Sequence, residues 1–208
     1  PTLRDRGVLA REIAGVQSSV AWMSGEAPVL RGGETHAFRV YGVDGDYRPE
    51  LDSPIVAGRP LSLEETRGAS RHCLIGAEVA EVLGGVDLIG SSLRLNGADC
   101  EVVGVLGEPR SRPAAIFAEG VIVPLAAAQR YFIADDAKAP GQVDRLTFFL
   151  NDEGLLDPAR VKADRVLRKL YGVPQSRNSP FVYGDRNVSL EQMLEQRRMM
   201  SRLLASLA

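Results

Sequence analysis

Four side chains in this sequence, His36, His72, Cys73 and Cys100, belong to the types that most often serve as nucleophiles, general bases or metal ligands. The chain has no other histidine or cysteine, so a zinc or thiol site would need nearly all of them or would recruit carboxylates. His72 and Cys73 are adjacent on a predicted strand, where successive side chains point to opposite faces. They are therefore poorly placed to share a metal ion or to form a Cys–His couple. We predict no catalytic residue, no metal site and no cofactor.

The two cysteines have a second use, because both fall in predicted strands of the same short-stranded region. Two cysteines suit an oxidising compartment, where a disulfide closing this loop would stabilise the fold by about 3–4 kcal/mol on the chain-entropy model. The sequence leaves two states open, a Cys73–Cys100 disulfide and two free thiols.

Other catalytic machinery is also missing from the sequence. It contains no Gly-x4-Gly-Lys-Ser/Thr loop, no Gly-x-Gly-x-x-Gly and no Gly-x-Ser-x-Gly. The acid pairs Glu64–Glu65 and Asp135–Asp136 lie at predicted loop or helix edges with no histidine nearby, and we interpret them as first-turn or solvated residues. Trp22 with Met23 could line a ligand groove, but we favour packing in a core or interface. We expect that the chain is not an enzyme.

Charge argues against nucleic acid as a partner, and hydropathy argues against a transmembrane helix within this sequence. With 25 basic and 27 acidic side chains the net charge is −2, which gives no electrostatic footprint for nucleic acid. The most apolar stretch, Gly120–Ala128, is interrupted by Pro124 and is far shorter than the roughly 20 residues of a transmembrane helix. No signal peptide is recognisable, so export would be directed by sequence outside this chain.

The periodicity of the sequence predicts long elements at both ends and short strands between them. A first helix is expected over Leu3–Val16, and the Asn96-Gly97 pair predicts a tight hairpin. A later helix has Asp157 at its N-cap, Pro158 at its first position and Gly172 beyond its end.

A last helix is predicted to begin near Leu190, after a capping box expected from Ser189 and Gln192, and the sequence contains no stop signal before Ala208. We therefore expect the native protein to continue beyond this residue.

This layout predicts an α+β fold with two subdomains. One is built from both chain ends, residues 1–52 and 141–208, and carries the terminal helices. The other is a β-rich insertion over residues 53–140.

Six short blocks resemble the MacB-like periplasmic core domain, found in FtsX-like and MacB-type ABC-transporter permeases. Each block is weakly specific alone, but all six occur in the order and spacing of that family. The blocks are Tyr41–Tyr47 (YGVDGDY), Ile55–Leu61 (IVAGRPL), Cys73–Gly76 (CLIG) with Ala80 and Leu83-Gly84, Ile89-Gly90 with Leu93–Gly97 (LRLNG), Val102–Leu106 (VVGVL) and Val121–Leu125 (VIVPL).

The resemblance implies a porter-like α/β sandwich from the chain ends and a β-rich, Sabre-like subdomain from the middle. It implies a periplasmic domain inserted between the first two transmembrane helices of an inner-membrane permease. The implied partners are an ABC ATPase subunit, a second permease subunit and, in some relatives, a periplasmic adaptor or outer-membrane channel.

The resemblance also implies a mechanical role, in which the terminal helices are stalks that pass ATP-driven motion to the domain. We expect their shared face to consist of Leu9, Ile13, Met193, Leu194 and Met200. The alternative function is a ligand-sensing or substrate-binding module that regulates a membrane complex.

Overall fold

A computed structural model describes residues 1–31, 33–133 and 141–184 of the chain. The chain divides into two compact units, Pro1–Val166 and Leu167–Ala208. Every strand of the described residues belongs to the first unit.

Eight strands form one sheet in the first unit. Strand β1 pairs with β2 along one edge and, through Val29 and Leu30, with β5 along the other. Together with the other pairings this closes six strands into a ring, β1-β2-β7-β4-β6-β5, to which β8 adds on β1 and β3 on β6. In chain order the strands are β1 (Val16–Arg31), β2 (Glu34–Gly45), β3 (Ile55–Gly58), β4 (His72–Ile75), β5 (Ser92–Leu95), β6 (Ala98–Leu106), β7 (Gly120–Pro124) and β8 (Arg145–Leu150).

The predicted hairpin at Asn96-Gly97 is confirmed and joins β5 to β6. Asn96 has φ 46° and Gly97 has φ 81°, and two consecutive positive φ angles are what a type I′ turn requires. The turn twists with the strands, so Leu95 pairs directly with Ala98.

Helices and helical turns connect the strands. The predicted helix is confirmed, and Gly172 lies beyond its end with φ 64°. It begins at Leu156, two residues before the predicted first position Pro158, so Asp157 lies within the first turn and its prediction as N-cap is wrong. The predicted first helix is shorter than expected because Ile13 already has extended backbone angles. The helices are α1 (Leu3–Glu12), α2 (Arg48–Leu51), α3 (Leu63–Arg67), α4 (Ala77–Leu83), α5 (Leu125–Ala127) and α6 (Leu156–Tyr171), with further helical turns at Gly85–Leu88, Arg112–Phe117, Ala128–Phe132 and Glu153–Leu155.

Side chains of the ring strands alternate between two hydrophobic clusters, as the two-residue period of a strand dictates. The first cluster receives residues from all six ring strands and is joined by α4, α5 and Phe132. The second cluster lies on the other face of the sheet and includes Trp22, Tyr41, Tyr47 and Phe117. On β4, for example, Cys73 and Ile75 face the first cluster and Leu74 the second.

The α+β class predicted from the sequence is confirmed. Strands from the chain ends and from the central region pair within one sheet, and the division into a subdomain of residues 1–52 and 141–208 and another of 53–140 stays a prediction.

The strand predicted at Phe181–Tyr183 is wrong, because this segment has no strand partner among the described residues and Val182 is 98% exposed. Within the second unit, the Phe181 ring instead contacts Tyr171, and Arg168 donates to the carbonyls of Pro174 and Arg177. The helix predicted from Leu190, with Met193, Leu194 and Met200, lies outside the described residues.

Candidate functional site

The start of the chain pairs with the segment that leads into β8. The Val143 N–H donates to the Pro1 carbonyl at 2.9 Å, and the Leu3 N–H donates to the Gly141 carbonyl at 3.0 Å. Thr2 and Gln142 form the antiparallel bridge between them. We call residues 1–15 and 141–155 together the terminal junction.

Helix α1 is stabilised at its N-terminus by a capping box and is connected to the ring by Arg6. A capping box joins Thr2 and Asp5: the Asp5 N–H donates to Thr2 Oγ1 at 3.2 Å, and the Thr2 N–H donates to Asp5 Oδ2 at 2.8 Å. Arg6 Nη2 lies 2.8 Å from Asp44 Oδ2, and Arg6 Nη1 donates to the Asp44 carbonyl at 3.0 Å. Asp44 lies on β2 opposite Ala21 of β1, so this pair connects α1 to the ring.

Of the five residues predicted to form the stalk face, the structure describes Leu9 and Ile13, and both are buried. Leu9 is 3% exposed and Ile13 is 7% exposed, and α1 packs against β1. Because Met193, Leu194 and Met200 lie outside the described residues, the shared stalk face stays a prediction.

The turn after α1 is fixed to the segment after β8. Gly15 has φ 74°, its carbonyl accepts from the Asn151 N–H at 2.9 Å, and a Cβ at this position would lie 2.5 Å from Asn151 Oδ1. Only glycine therefore fits the turn without displacing Asn151. Beyond it, Glu12 forms an exposed ion pair with Lys162 of α6 at 2.8 Å. The terminal junction thus holds both chain segments against the same half of β1.

The cysteines lie together inside the first hydrophobic cluster. The structure pairs Cys73 of β4 with Cys100 of β6 as a disulfide, with Cα atoms 6.1 Å apart, inside the range that disulfides span. Formation of this disulfide in the protein stays a prediction, which mass spectrometry of non-reduced protein checks by the absence of two hydrogens.

A cluster of charged side chains surrounds Glu65 at the start of α3. Arg59 Nη1 and Nη2 each donate to a Glu65 oxygen at 2.9 Å, and the Ser62 N–H donates to Glu65 Oε2 at 2.6 Å. His72 Nδ1 lies 2.5 Å from Glu65 Oε1, while its Nε2 lies 3.8 Å from Glu101 Oε2. We call Arg59, Glu65, His72 and Glu101 the Glu65 cluster.

The prediction that Glu64–Glu65 has no histidine nearby is therefore wrong for Glu65. Glu65 on α3 and His72 at the start of β4 are seven positions apart, and the turn between the two elements brings their side chains together. The hydrogen bonds from Arg59, with those from Ser62 and His72, outweigh the effect of burial and hold the pKa of the Glu65 carboxyl well below its ordinary range. Such a carboxylate is a poor proton acceptor, so the cluster is suited to fastening α3 rather than to acid–base chemistry.

Tyr47 fastens the same region from within the second hydrophobic cluster. Its hydroxyl accepts from the Leu61 N–H at 2.9 Å and donates to the Leu61 carbonyl at 3.3 Å. Burial raises the pKa of Tyr47 to about 12, so the phenol stays neutral in any ordinary buffer.

Trp22 lies in the second cluster, where its ring stacks on Phe117 at a centroid distance of 4.9 Å. Trp22 is 3% exposed, so it packs in the core, as we favoured, and does not line an open ligand groove. The Arg145 guanidinium lies 5.6 Å from the centroid of the Trp22 ring, and its Nη2 is 2.6 Å from Oε2 of the buried Glu50. Arg145 of β8 thereby links the terminal junction to α2.

Sequence reasoning missed the contacts that fix α1 and α3, although part of their signal was readable. Thr2-x-x-Asp5 and Ser62-x-x-Glu65 both have the spacing of a capping box, and both boxes form. No local pattern could have paired Arg6 with Asp44, because 38 positions separate them.

None of the helices in the described part of the chain combines the length and apolarity needed to cross a bilayer. Within residues 1–31, 33–133 and 141–184, no three His, Cys, Asp or Glu side chains are grouped so that they could hold a metal ion.

Comparisons with known proteins identify one family and a fold shared with solved structures. A family model described as "MacB-like periplasmic core domain" matches residues 1–164. Among solved structures, the periplasmic region of MacB from Actinobacillus actinomycetemcomitans is similar with a TM-score of 0.73 at 14% identity, covering 93% of this chain and 82% of that one. The extracellular domain of the noncanonic ABC-type transporter YknZ from Gram-positive bacteria is similar with a TM-score of 0.69 at 18% identity, covering 85% and 87%. No curated protein matches.

Proposed function

We propose a mechanical function for this chain, which belongs to the family of MacB-like periplasmic core domains. In this proposal it is the extracytoplasmic domain of an ABC-transporter permease, and it relays movement from the membrane. In this role the ATPase subunits on the cytoplasmic side move the transmembrane helices. The terminal segments of this domain carry the displacement into the ring, and the domain breaks no bond itself.

The terminal junction is the observation that carries this proposal. Residues 1–3 and 141–143 are hydrogen-bonded to each other, and Arg6 connects α1 to Asp44 on β2. A pull on either segment would therefore act on the same strands, because neither can move without disturbing contacts of the other. Packed elements of this kind shift between discrete arrangements rather than deforming continuously.

The charged groups described in the structure fit a mechanical role. Glu65 accepts hydrogen bonds from Arg59 and Ser62 and contacts His72. Glu50 accepts a hydrogen bond from Arg145. Groups so held are suited to fastening elements to one another. The non-catalytic character of the domain is part of the proposal.

The partners follow from the same proposal. They are an ABC ATPase subunit, which acts through the transmembrane part of the permease, and a second permease subunit. If the cell has an outer membrane, the proposal adds a periplasmic adaptor or an outer-membrane channel as a further partner. The domain would face the periplasm or the cell exterior.

A reversible crosslink between the terminal helices tests the proposal. Leu9→Cys and Met193→Cys would be combined in the full-length permease with its ATPase, with each single-cysteine variant as a control. If the stalks must shift, oxidation should abolish transport in the double variant only, and reductant should restore it. A formed crosslink that leaves transport intact would contradict the relay.

A further inference from the structure

The cysteine pair lies where a reagent in solution has no path to either sulfur. Cys73 is 0% exposed and Cys100 is 1% exposed. Both belong to the cluster to which all six ring strands contribute. Thiol–disulfide exchange requires a thiolate to approach a sulfur directly, and buried cysteines are correspondingly inert. A bond at this position can be neither made nor reduced from outside while the ring stays closed.

The segment that carries both cysteines can assemble before the rest of the ring. Strands β4, β5 and β6 are consecutive in the chain and are neighbours in the sheet, in the order β4-β6-β5. Their contacts span less of the chain than the seam that closes the ring: the cysteines are 27 positions apart, whereas Val29 and Leu95 of the seam are 66 positions apart (95 − 29). The Asn96-Gly97 turn also sets the β5–β6 hairpin. Local contacts cost less loop-closure entropy than distant ones and tend to form first.

The ring is completed by strands from outside that segment. β1 and β2 precede it and β7 follows it, and all three must dock before the first cluster is enclosed. On the β5 edge the closing seam consists of two residue pairs, Val29 with Leu95 and Leu30 with Arg94. An unclosed seam would leave the interior side chains of β5 and β6 open to solvent.

We propose that Cys73 and Cys100 are oxidised on a chain whose ring is still open, by exchange with a disulfide-bearing oxidant, and that ring closure then shields the bond from reductants. The crosslink is accordingly a permanent structural one rather than a redox switch. The inference does not depend on the relay function proposed above.

The chemistry balances as two successive exchanges. The thiolate of one cysteine attacks the oxidant's disulfide, forms a mixed disulfide and releases one oxidant thiol. The thiolate of the second cysteine then attacks the protein sulfur of that mixed disulfide and releases the other oxidant thiol. Two protein thiols and one oxidant disulfide become one protein disulfide and two oxidant thiols.

Reduction of the native protein is the first test. Oxidised protein is treated with dithiothreitol in buffer and in unfolding urea, then alkylated and weighed by mass spectrometry. The reduction rate in buffer should be at least about 100-fold lower, since it needs an opening of the ring. The matched control is a Cys73→Ala, Cys100→Ala, Val82→Cys protein carrying a glutathione mixed disulfide at position 82, because Val82 is 54% exposed. Its reduction should differ little between the two conditions.

The second test reverses the direction. Reduced protein is diluted from urea with oxidised glutathione present from the start, or added only after folding. Disulfide formation should be slower, by a factor similar to that of the first test, when oxidised glutathione is added only after folding. Equal rates in buffer and urea, or two free thiols in protein purified from an oxidising compartment, would overturn the proposal. If the reduced chain does not fold, the first test still decides, because it starts from the oxidised protein.

Discussion

The guanidinium of Arg6 in α1 contacts Asp44 on β2 twice, with Nη2 2.8 Å from Oδ2 and Nη1 3.0 Å from the backbone carbonyl. The side chains are 22% and 15% exposed, so this pair is better shielded from solvent than a surface ion pair. Arg6→Ala should lower the free energy of unfolding by about 1–2 kcal/mol. It should also speed hydrogen exchange of the α1 amides.

Arg4→Ala is the matched control for Arg6, since Arg4 is exposed on the same helix. Its effect should stay within about 0.5 kcal/mol. Urea unfolding and amide exchange measure both variants. Equal effects of the two substitutions would remove Arg6 from its role as the connection between α1 and the ring.

Glu65 gives the domain a predictable sensitivity to acid. Its pKa is lowered in the folded protein, so its contribution to stability is present above about pH 4.3, the ordinary glutamate value, and is lost as the pH falls below it. Glu65→Gln removes this contribution at neutral pH. The variant should therefore lose less stability than the wild type between pH 7 and pH 3.5, as measured by urea midpoints.

Glu64→Gln serves as the control for that titration, because Glu64 is the exposed neighbour on the same turn. Its pH profile should follow the wild type. A Glu65→Gln profile parallel to that of the wild type would mean that the Glu65 cluster does not hold α3 as described.

Tyr47→Phe should cost about 1–2 kcal/mol, because the buried N–H and carbonyl of Leu61 would both lose their partner. Since burial raises the pKa of Tyr47 to about 12, its contribution is complete below pH 10 and is lost as the pH rises toward that value. Spectrophotometric titration at 295 nm should find one tyrosine fewer ionising above pH 11 in the variant. A tyrosine set that titrates entirely near pH 10 in the wild type would refute the buried placement.

Arg145→Ala should destabilise the domain by about 2 kcal/mol, because it leaves the buried Glu50 carboxylate without its 2.6 Å partner. Trp22 is the only tryptophan, so its fluorescence reports the change directly, and the emission of the folded variant should shift as the guanidinium leaves the ring. The Glu50→Ala, Arg145→Ala double variant should lose less than the sum of the single losses. Additive losses would show that the two side chains act independently.

The elements marked by strong local chemistry were readable from the sequence. Asn96-Gly97 specified a type I′ hairpin, Gly172 marked the end of α6, and Pro158 lay two residues from its start. Such signals act within a few residues, so packing elsewhere cannot override them. The α+β class followed from the same periodicities.

Contacts between distant segments were not readable, because they depend on how the sheet closes. The pairing of β1 with β5 through Val29 and Leu30 joins a chain end to the central region, and no local pattern announces it. The contact between Arg145 and the buried Glu50 likewise joins residues 95 positions apart. The His72–Glu65 contact spans only seven positions, but it depends on the path of the turn between α3 and β4, which no local pattern specified. The strand predicted at residues 181–183 is absent for a different reason. Apolar residues favour an extended strand locally, but this segment has no neighbouring strand to pair with among the described residues.

The proposed function depends on ATP-driven movement of α1 relative to the helix predicted from Leu190. In the full-length permease with its ATPase, reconstituted in nanodiscs and free of native cysteines, spin labels would be placed at Arg11→Cys and Glu195→Cys. A second pair at Arg11→Cys and Val82→Cys, both within the first unit, is the control. Double electron–electron resonance should find the first distance changed by about 2 Å or more between the ADP-bound and ATP-bound states, with the control distance constant. Identical distributions for the first pair in both states would contradict the relay.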